Sequence, residues 1–513
     1  MEMQSNQLKK ISLTILMGVL AAICCIGLLL VSGLISQKSI EKNAKSSAAY
    51  FEETALFEDV LKNQPSVKRD NYADCISFSI AYHLGNTEAI EGTNRNNLFI
   101  RVLEARYTQA EGENVNDGFA RAVNEGETGN VTYSRYWHGG AAVIRLLMPV
   151  FSVQGMRIIF LVLGILLNVA WLGYLVYRKE YALGIAYTVG IFFGKLFFAY
   201  TCFEYAFVCL MVPVFSFLVY RKGEKEVSCN IRKDAKNESR KGMNGLPLTG
   251  LFLIFGILTC FFDFLTAETL TFTVPMLVLL ISLIGKKKNY TILKEGETKE
   301  SPEKERIKNL WKTFLINGSF WALGYAGMFC LKWFLSFLLL GGEESKTTFF
   351  YLAERSVGEV HQGANLASPI VSWPVRIAEI LLRNLAALAG IPENLNKVAQ
   401  ILILCGIAVA AGLLWYFLRK PSGKENEKAG MQKNSKRSVK SQESNKKGKQ
   451  ALTSFPVFLV LSLIPFLRFF VLSNHAYQHY FFTYRALMPV VMIVVYFFIK
   501  TTILDNLFDS KQK

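Results

Sequence analysis

Residues 11–35 read ISLTILMGVLAAICCIGLLLVSGLI, directly after Lys9 and Lys10 and without a single charged side chain. A run of this length spans the hydrocarbon of a bilayer. No water satisfies backbone amides there, so the run must be a helix that closes its own hydrogen bonds. It is too long for the apolar part of a cleaved leader and lacks a small-residue cleavage site, so it reads as an anchor that stays. The two lysines in front of it point it from inside to outside.

Working outward from this anchor, comparable runs recur at 157–176, 181–200, 205–219, 246–262, 270–284, 310–340, 398–418, 455–472 and 486–500. The chain has 513 residues, of which 51% are hydrophobic. Its expected fold class is all-α: a polytopic transmembrane helical bundle of about ten spans, with a large first outer loop carrying amphipathic helices.

The net charge of +17 is concentrated at 221–245, 286–308 and 419–450, each flanked by apolar runs. Alternating the spans from the first anchor puts every one of these clusters on the same, cytoplasmic side. The expectation is a multi-pass protein of the cell membrane with both termini cytoplasmic. A nucleic-acid partner is excluded, because such a face interleaves its charges with aromatics on a folded surface.

The expected divisions are an anchor at 1–36, an outer loop domain at 37–152 and spans two to six at 153–285. A basic cytoplasmic loop at 286–309 follows, then spans seven and eight at 310–418 with an outer segment at 341–396. A second basic loop at 419–451, rich in Lys, Ser, Asn and Gln, should lack regular structure. Residues 452–513 hold the last two spans and a short tail. Gly318, Gly324 and Gly327 let the long seventh run tilt, kink or extend past the membrane. Within the outer segment, Pro374 opens a helix whose stripe of Ile377, Ile380, Leu381 and Leu385 suits a helix lying on the membrane. No internal repeat is evident, which disfavours an inverted-repeat transporter. The nine cysteines show no C-x-x-C spacing and read as small apolar packing residues.

Ionisable groups at membrane depth are costly and are functional candidates by default. In the outer loop domain, Asp70 and Asp74 would share a helix face with Ser77. Two such carboxylates raise each other's pKa or bind a divalent cation; the competing reading is a solvated face partnered by Lys68 and Arg69. The stretch Tyr133-Ser134-Arg135-Tyr136-Trp137-His138 suits either an interfacial aromatic belt or a sugar site, with Arg135, Trp137 and His138 as ligand contacts. Asp263 and Glu268 sit in a tight outer hairpin, where simple solvation is the alternative. Lys195 lies in the third span and Glu204 just beyond it, for pairing or snorkelling. Lys332 falls in the upper seventh span and Arg376 in the outer segment. In the last outer turn His475 and His479 share a face without a third metal ligand at useful spacing. Arg485, at the membrane boundary, has the planar fork that suits a phosphate.

This arrangement resembles the multi-spanning glycosyltransferases of the GT-C architecture. They place a first span before a large outer loop with membrane-lying amphipathic helices and take sugar from a polyprenyl-phosphate carrier. The resemblance covers the topology of the whole chain and carries no diagnostic motif. It implies a catalytic acid early in the first outer loop, here Asp70 or Asp74. It also implies phosphate held by Arg485, Arg376 or Lys332, and membrane lipids, a polyprenyl-phosphate sugar donor and a cell-envelope glycan or lipid acceptor as partners. No cofactor is required by the sequence, and a divalent cation enters only through the two-carboxylate reading. A lipid or polysaccharide transporter and a non-catalytic membrane assembly protein are the competing functions.

Overall fold

A computed structural model describes residues 2–84, 97–236, 247–284, 302–341, 369–419 and 435–502. Residues 286–301 of the expected basic loop and 342–368 of the expected outer segment lie outside the described residues, as does 420–434. The fold is all-α, and among the described residues its strands form two short antiparallel ribbons, Phe57–Asp59 with Lys68–Asp70 and Arg106–Tyr107 with Val131–Thr132.

Among the described residues, seven helices are long and apolar enough to cross a membrane. They are Leu8–Gly33, Val153–Tyr177, Phe203–Glu224, Glu303–Leu340, Lys397–Leu418, Thr453–Val471 and Tyr480–Thr501. Three shorter apolar helices, Tyr181–Gly194, Leu248–Phe262 and Leu270–Ile284, pack among them. Leu270–Ile284 is apolar on every side and buried along almost its whole length, which places it at the centre of the bundle. Lys397–Leu418 is equally apolar yet buries no residue, and Val398, Leu402, Val409, Leu413 and Phe417 face outward. About 33 Å of continuous apolar surface on a 22-residue helix is compatible with lipid and not with water.

The glycines of the seventh run have a packing role. Glu303–Leu340 is part of one unbroken helix, Pro302–Leu340, which crosses Leu248–Phe262 backbone to backbone. A Cβ on Gly324 would lie 2.2 Å from the Leu253 carbonyl oxygen, and one on Gly256 would lie 2.1 Å from that of Trp321. Small residues are what permit this approach where no hydrophobic force drives helices together. A second link is polar: the Asn168 side chain accepts from the Tyr187 hydroxyl at 2.9 Å and donates to that of Tyr200 at 2.5 Å.

The segment between the first two spans folds as a small helical domain. Gln37–Glu52 buries Ile40, Ala44, Ala48 and Phe51, and Val115–Glu125 buries Val115, Phe119, Ala122 and Val123. Both stripes follow helical spacing, but they face one another. The Phe51 ring meets Phe78 of helix Asn71–His83 at 5.5 Å and Phe119 at 6.3 Å. Arg145, fully buried in helix Gly139–Leu147, fixes this domain to the first span. It donates to the carbonyls of Ser32 at 3.0 Å and Ile35 at 2.6 Å, and to those of Ala81 and Tyr82, each at 2.8 Å. Ser32, Ala81 and Tyr82 lie in the last turns of two helices, where carbonyls lack an intrahelical partner and the dipole is negative, and Ile35 lies just beyond the first of them.

Two sequence expectations change. Helix Ser435–Val471 begins inside the basic loop expected to lack regular structure. Its 435–450 portion has no proline, is rich in the helix formers Lys and Gln, and extends a span that is already helical. In helix Pro369–Ala389 the stripe does not lie on a membrane: Ile377, Ile380, Leu381 and Leu385 pack against Phe469, Ala476, Ala486 and Leu487.

The crossing at Gly324 is directly testable. Gly324→Val should destabilise the purified protein by about 1–3 kcal/mol through overpacking. Gly327→Val, where an added Cβ meets nothing within 4 Å, should leave the melting temperature unchanged. Equal melting temperatures for the two variants would rule out the close crossing.

Candidate functional site

Asp70 and Asp74 do not share a helix face as expected; one caps the helix and the other sits in its first turn. Asp70 precedes helix Asn71–His83 and accepts the Ala73 N–H at 2.9 Å, the ordinary task of an acid at an N-cap. Asp74, one turn further on, is favoured by the same positive helix end. Both carboxyls are buried, at 2% and 0% exposure.

Their partners differ, and the difference decides their roles. Asp74 pairs with Arg157 of the second span at 2.7 Å and accepts the Phe203 N–H, also at 2.7 Å. Arg157 is held in turn by Asn71 at 2.8 Å and by the Tyr50 hydroxyl at 3.0 Å. Burial raises the Asp74 carboxyl, opposed by Arg157 and the backbone amides of Phe203 and Glu204. With both oxygens engaged, Asp74 positions its neighbours. Asp70 has no such cation. Burial pushes it up to about 7, the Asp74 charge adds to this, and the Ala73 amide and the Glu204 side chain pull against it. A carboxyl titrating near neutrality is suited to general-base chemistry.

Arg485 comes to the same region from the far end of the chain. It is fully buried, its guanidinium 4.9 Å from the Tyr205 ring centre and 5.0 Å from that of Tyr484. Its hydrogen bonds are long, 3.3 Å to the Ser66 carbonyl and 3.4 Å to that of Phe481, and its Nε has no partner. Among the described residues no carboxylate pairs with it. The Tyr205 hydroxyl lies within electrostatic range of both Arg485 and Asp70. The Tyr484 hydroxyl donates to the same Ser66 carbonyl at 2.7 Å. Residues from the first domain, the start of helix Phe203–Lys236 and the last turn thus form one buried polar centre.

A second centre forms around the hairpin Asp263–Thr269. Asp263 accepts the Thr266 hydroxyl at 2.6 Å and N–H at 3.0 Å, and the Ala267 N–H at 3.2 Å. Burial and then the nearby Glu268 charge raise it to about 7, against those three bonds. Glu268 pairs with Arg468 at 2.7 Å, and Arg468 also donates to the carbonyls of Leu265 at 2.6 Å and Thr266 at 3.0 Å. Cys209 lies within electrostatic range of Arg485 and of Asp263, so the two centres are neighbours.

The remaining sequence candidates are held elsewhere. Trp137 is buried in the protein rather than placed in a belt, its indole N–H donating to the Met328 carbonyl at 2.8 Å. Lys332 donates to the Leu103 carbonyl and lies 5.5 Å from the Trp137 ring, away from Asp70. His138, buried with its backbone in the left-handed region at φ +56, hydrogen-bonds the Tyr133 carbonyl at 2.5 Å. Burial, with the Lys332 and Arg135 charges, lowers its pKa to about 3, so its ring is neutral at ordinary pH. Arg135 lies over Tyr133 at 3.9 Å. Arg376 donates to the Asn474 side chain at 2.6 Å. The His475 and His479 rings lie 4.7 Å apart, tilted by 44°. Among the described residues no group of three or more His, Cys, Asp or Glu side chains could hold a metal ion.

No family model, curated protein or solved structure matches this chain. The site therefore rests on its own geometry. Sequence reasoning missed Arg157, Tyr205, Tyr325 and Arg468. The two arginines carried a usable signal, a charge inside an apolar run. The tyrosines did not.

The contrast between the carboxyls predicts opposite stability effects. Asp74→Asn leaves the Arg157 charge buried without its partner and should cost about 3–5 kcal/mol. Asp70→Asn keeps the cap. A folded-state pKa raised from 3.8 to about 7 favours folding below the unfolded value, and that contribution fades as pH rises through 7. Asp70→Asn should therefore gain on the wild type between pH 5 and 8 in thermal melts of the purified protein. A constant difference across that range would contradict the assignment.

Proposed function

We propose that the chain is an integral membrane glycosyltransferase similar to the GT-C type. It would transfer a sugar from a polyprenyl-phosphate carrier to a cell-envelope acceptor at the outer face of the cell membrane. In this reading the seven long helices and the three short apolar ones make ten spans. The short ones are buried enough to cross as a packed core, and the basic loops lie in the cytoplasm.

The observation that carries the proposal is a fully buried Arg485, without a carboxylate partner among the described residues, in electrostatic range of the tyrosine that also senses Asp70. An unneutralised buried guanidinium is expensive, and a protein retains one where a ligand supplies the negative charge. Inverting transfer needs a base to take the proton of the acceptor hydroxyl and a cation to hold the departing phosphate. Asp70 is the base and Arg485 the clamp. On binding, the long Ser66 and Phe481 contacts give way to two phosphate oxygens held by the planar fork. Arg157, Asn71 and Asp74 hold the turn from which Asp70 projects. The divalent cation that a carboxylate pair would bind has no part in this scheme, because Asp74 is committed to Arg157.

The test is transfer of labelled sugar from a panel of polyprenyl-phosphate sugars to cell-envelope lipid extract, using membranes that carry the full chain. Wild-type activity should rise with pH through about 7, as Asp70 loses its proton. Asp70→Asn should abolish transfer, and Arg485→Lys should lower it about 10²-fold at normal expression. Equal activity for Arg and Lys, or no transfer by wild type from any donor, would overturn the proposal.

A further inference from the structure

The hairpin Asp263–Thr269 is tied by Arg468 at its back, yet it leaves several buried polar atoms unbonded. Glu268 uses one oxygen on Arg468 Nε at 2.7 Å, while its Oε2 has no partner. Arg468 Nη1, the Thr269 hydroxyl and the Tyr325 hydroxyl are likewise buried without partners. Glu268 and Arg468 are paired directly, and the other two residues are their neighbours in space or in the chain. Tyr325 lies within electrostatic range of Glu268, Asp263 and Tyr136, and Thr269 adjoins Glu268 in the chain. Leaving one such group buried and unbonded is costly, so four together point to a ligand that bonds them. The backbone adds to this: Leu265 of the hairpin is left-handed at φ +66 without being glycine. Strain of that kind concentrates where a geometry is needed for function.

The four atoms define the ligand's chemistry. Glu268 Oε2 only accepts, Arg468 Nη1 only donates, and the Thr269 and Tyr325 hydroxyls do both. A phosphate needs donors alone and would be repelled by Glu268. A metal ion would be repelled by Arg468 and finds no set of three ligands among the described residues. Vicinal hydroxyls of a sugar donate to a carboxylate and accept from a guanidinium at once. Aromatic rings border the same place: Phe264 lies 5.4 Å from Tyr136 and 5.3 Å from His138, and Tyr325 lies 5.2 Å from Phe329. These rings suit the C–H face of a pyranose. We propose that Glu268, Thr269, Tyr325 and Arg468 form a binding site for the hydroxyls of a pyranose, distinct from the Asp70–Arg485 centre. This deepens the glycosyltransferase reading by placing the sugar, but it claims binding alone and holds without transfer.

The test uses the full chain purified in detergent, with thermal protection by free glucose, mannose, galactose and N-acetylglucosamine measured beside inorganic phosphate. At least one pyranose should protect the wild type, and phosphate should not oppose that protection. Tyr325→Phe and Thr269→Val each remove an unbonded buried hydroxyl, so without sugar they should melt at or above the wild-type temperature. With sugar, each should weaken the apparent affinity about fivefold, the worth of one hydrogen bond. The same sugar on a short prenyl phosphate assigns the source: tighter protection than the free sugar makes it the donor's, and equal or weaker protection makes it the acceptor's. Either result supports the site. No protection by any pyranose, wild-type affinity in both variants, or displacement of the sugar by phosphate would overturn it, whatever the transfer assay shows.

Discussion

One guanidinium holds the first span to the domain that follows it. Arg145 takes up carbonyls from the end of Glu2–Gly33 and the loop just beyond, and from the last turn of Asn71–His83. In a helix's last turn the carbonyls lack an intrahelical partner because the helix stops, and they are negative because peptide dipoles add along the axis. A single planar donor set thereby fixes the exit of the anchor against the helix that begins with Asp70 and Asp74. The position of both acids relative to the bundle depends on that junction, and so does everything argued about the polar centre. The domain meets the second span through the Ser47 hydroxyl, which accepts the Val153 N–H at 2.9 Å, and through Asp74, Asn71 and Tyr50, which all bond Arg157.

The buried cations separate structure from chemistry once their compensation is compared. Arg145 is held by carbonyls, Arg157 by Asp74 and Asn71, and Arg468 is neutralised by Glu268 and tied to two carbonyls, although its Nη1 stays unbonded. These arrangements return most of what desolvation takes, and they lock elements together. Arg485 is different. It has two long contacts and two aromatic faces, which hold the group in place without neutralising it. The acids divide in the same way. Asp74 is committed to an arginine and to amides, whereas Asp70 has the Ala73 and Tyr72 amides and the Glu204 side chain and no cation. A free-standing acid and a free-standing cation then sit on either flank of one tyrosine's electrostatic reach.

Much of this was legible in the sequence, and the rest was hidden for identifiable reasons. Apolar runs announce helices in lipid because the backbone has no alternative there, so the all-α class followed from residues 11–35 and their repeats. Asp70, Asp74, Asp263, Glu268 and Arg485 stood out because charge beside an apolar run is costly. Their pairing was not legible: Asp74 with Arg157 and Glu268 with Arg468 join positions 83 and 200 residues apart. Trp137 and Lys332 looked like ligand contacts by type, yet they bond to each other's surroundings inside the bundle. Side-chain type cannot tell a satisfied buried group from an unsatisfied one. The stripe of Ile377 and Ile380 had the right period, but a period does not say whether lipid or protein covers the face. Here Phe469 and Leu487 do.

The polar centre works only with Asp70 as a buried acid that exchanges its proton near neutrality, not as an ionised structural cap. Infrared difference spectroscopy of the purified full chain against Asp70→Asn isolates its carboxyl. A protonated carbonyl band should be present at pH 6 and disappear with a midpoint near 7. A carboxylate already ionised at pH 5, with no band lost between pH 5 and 8, would contradict it.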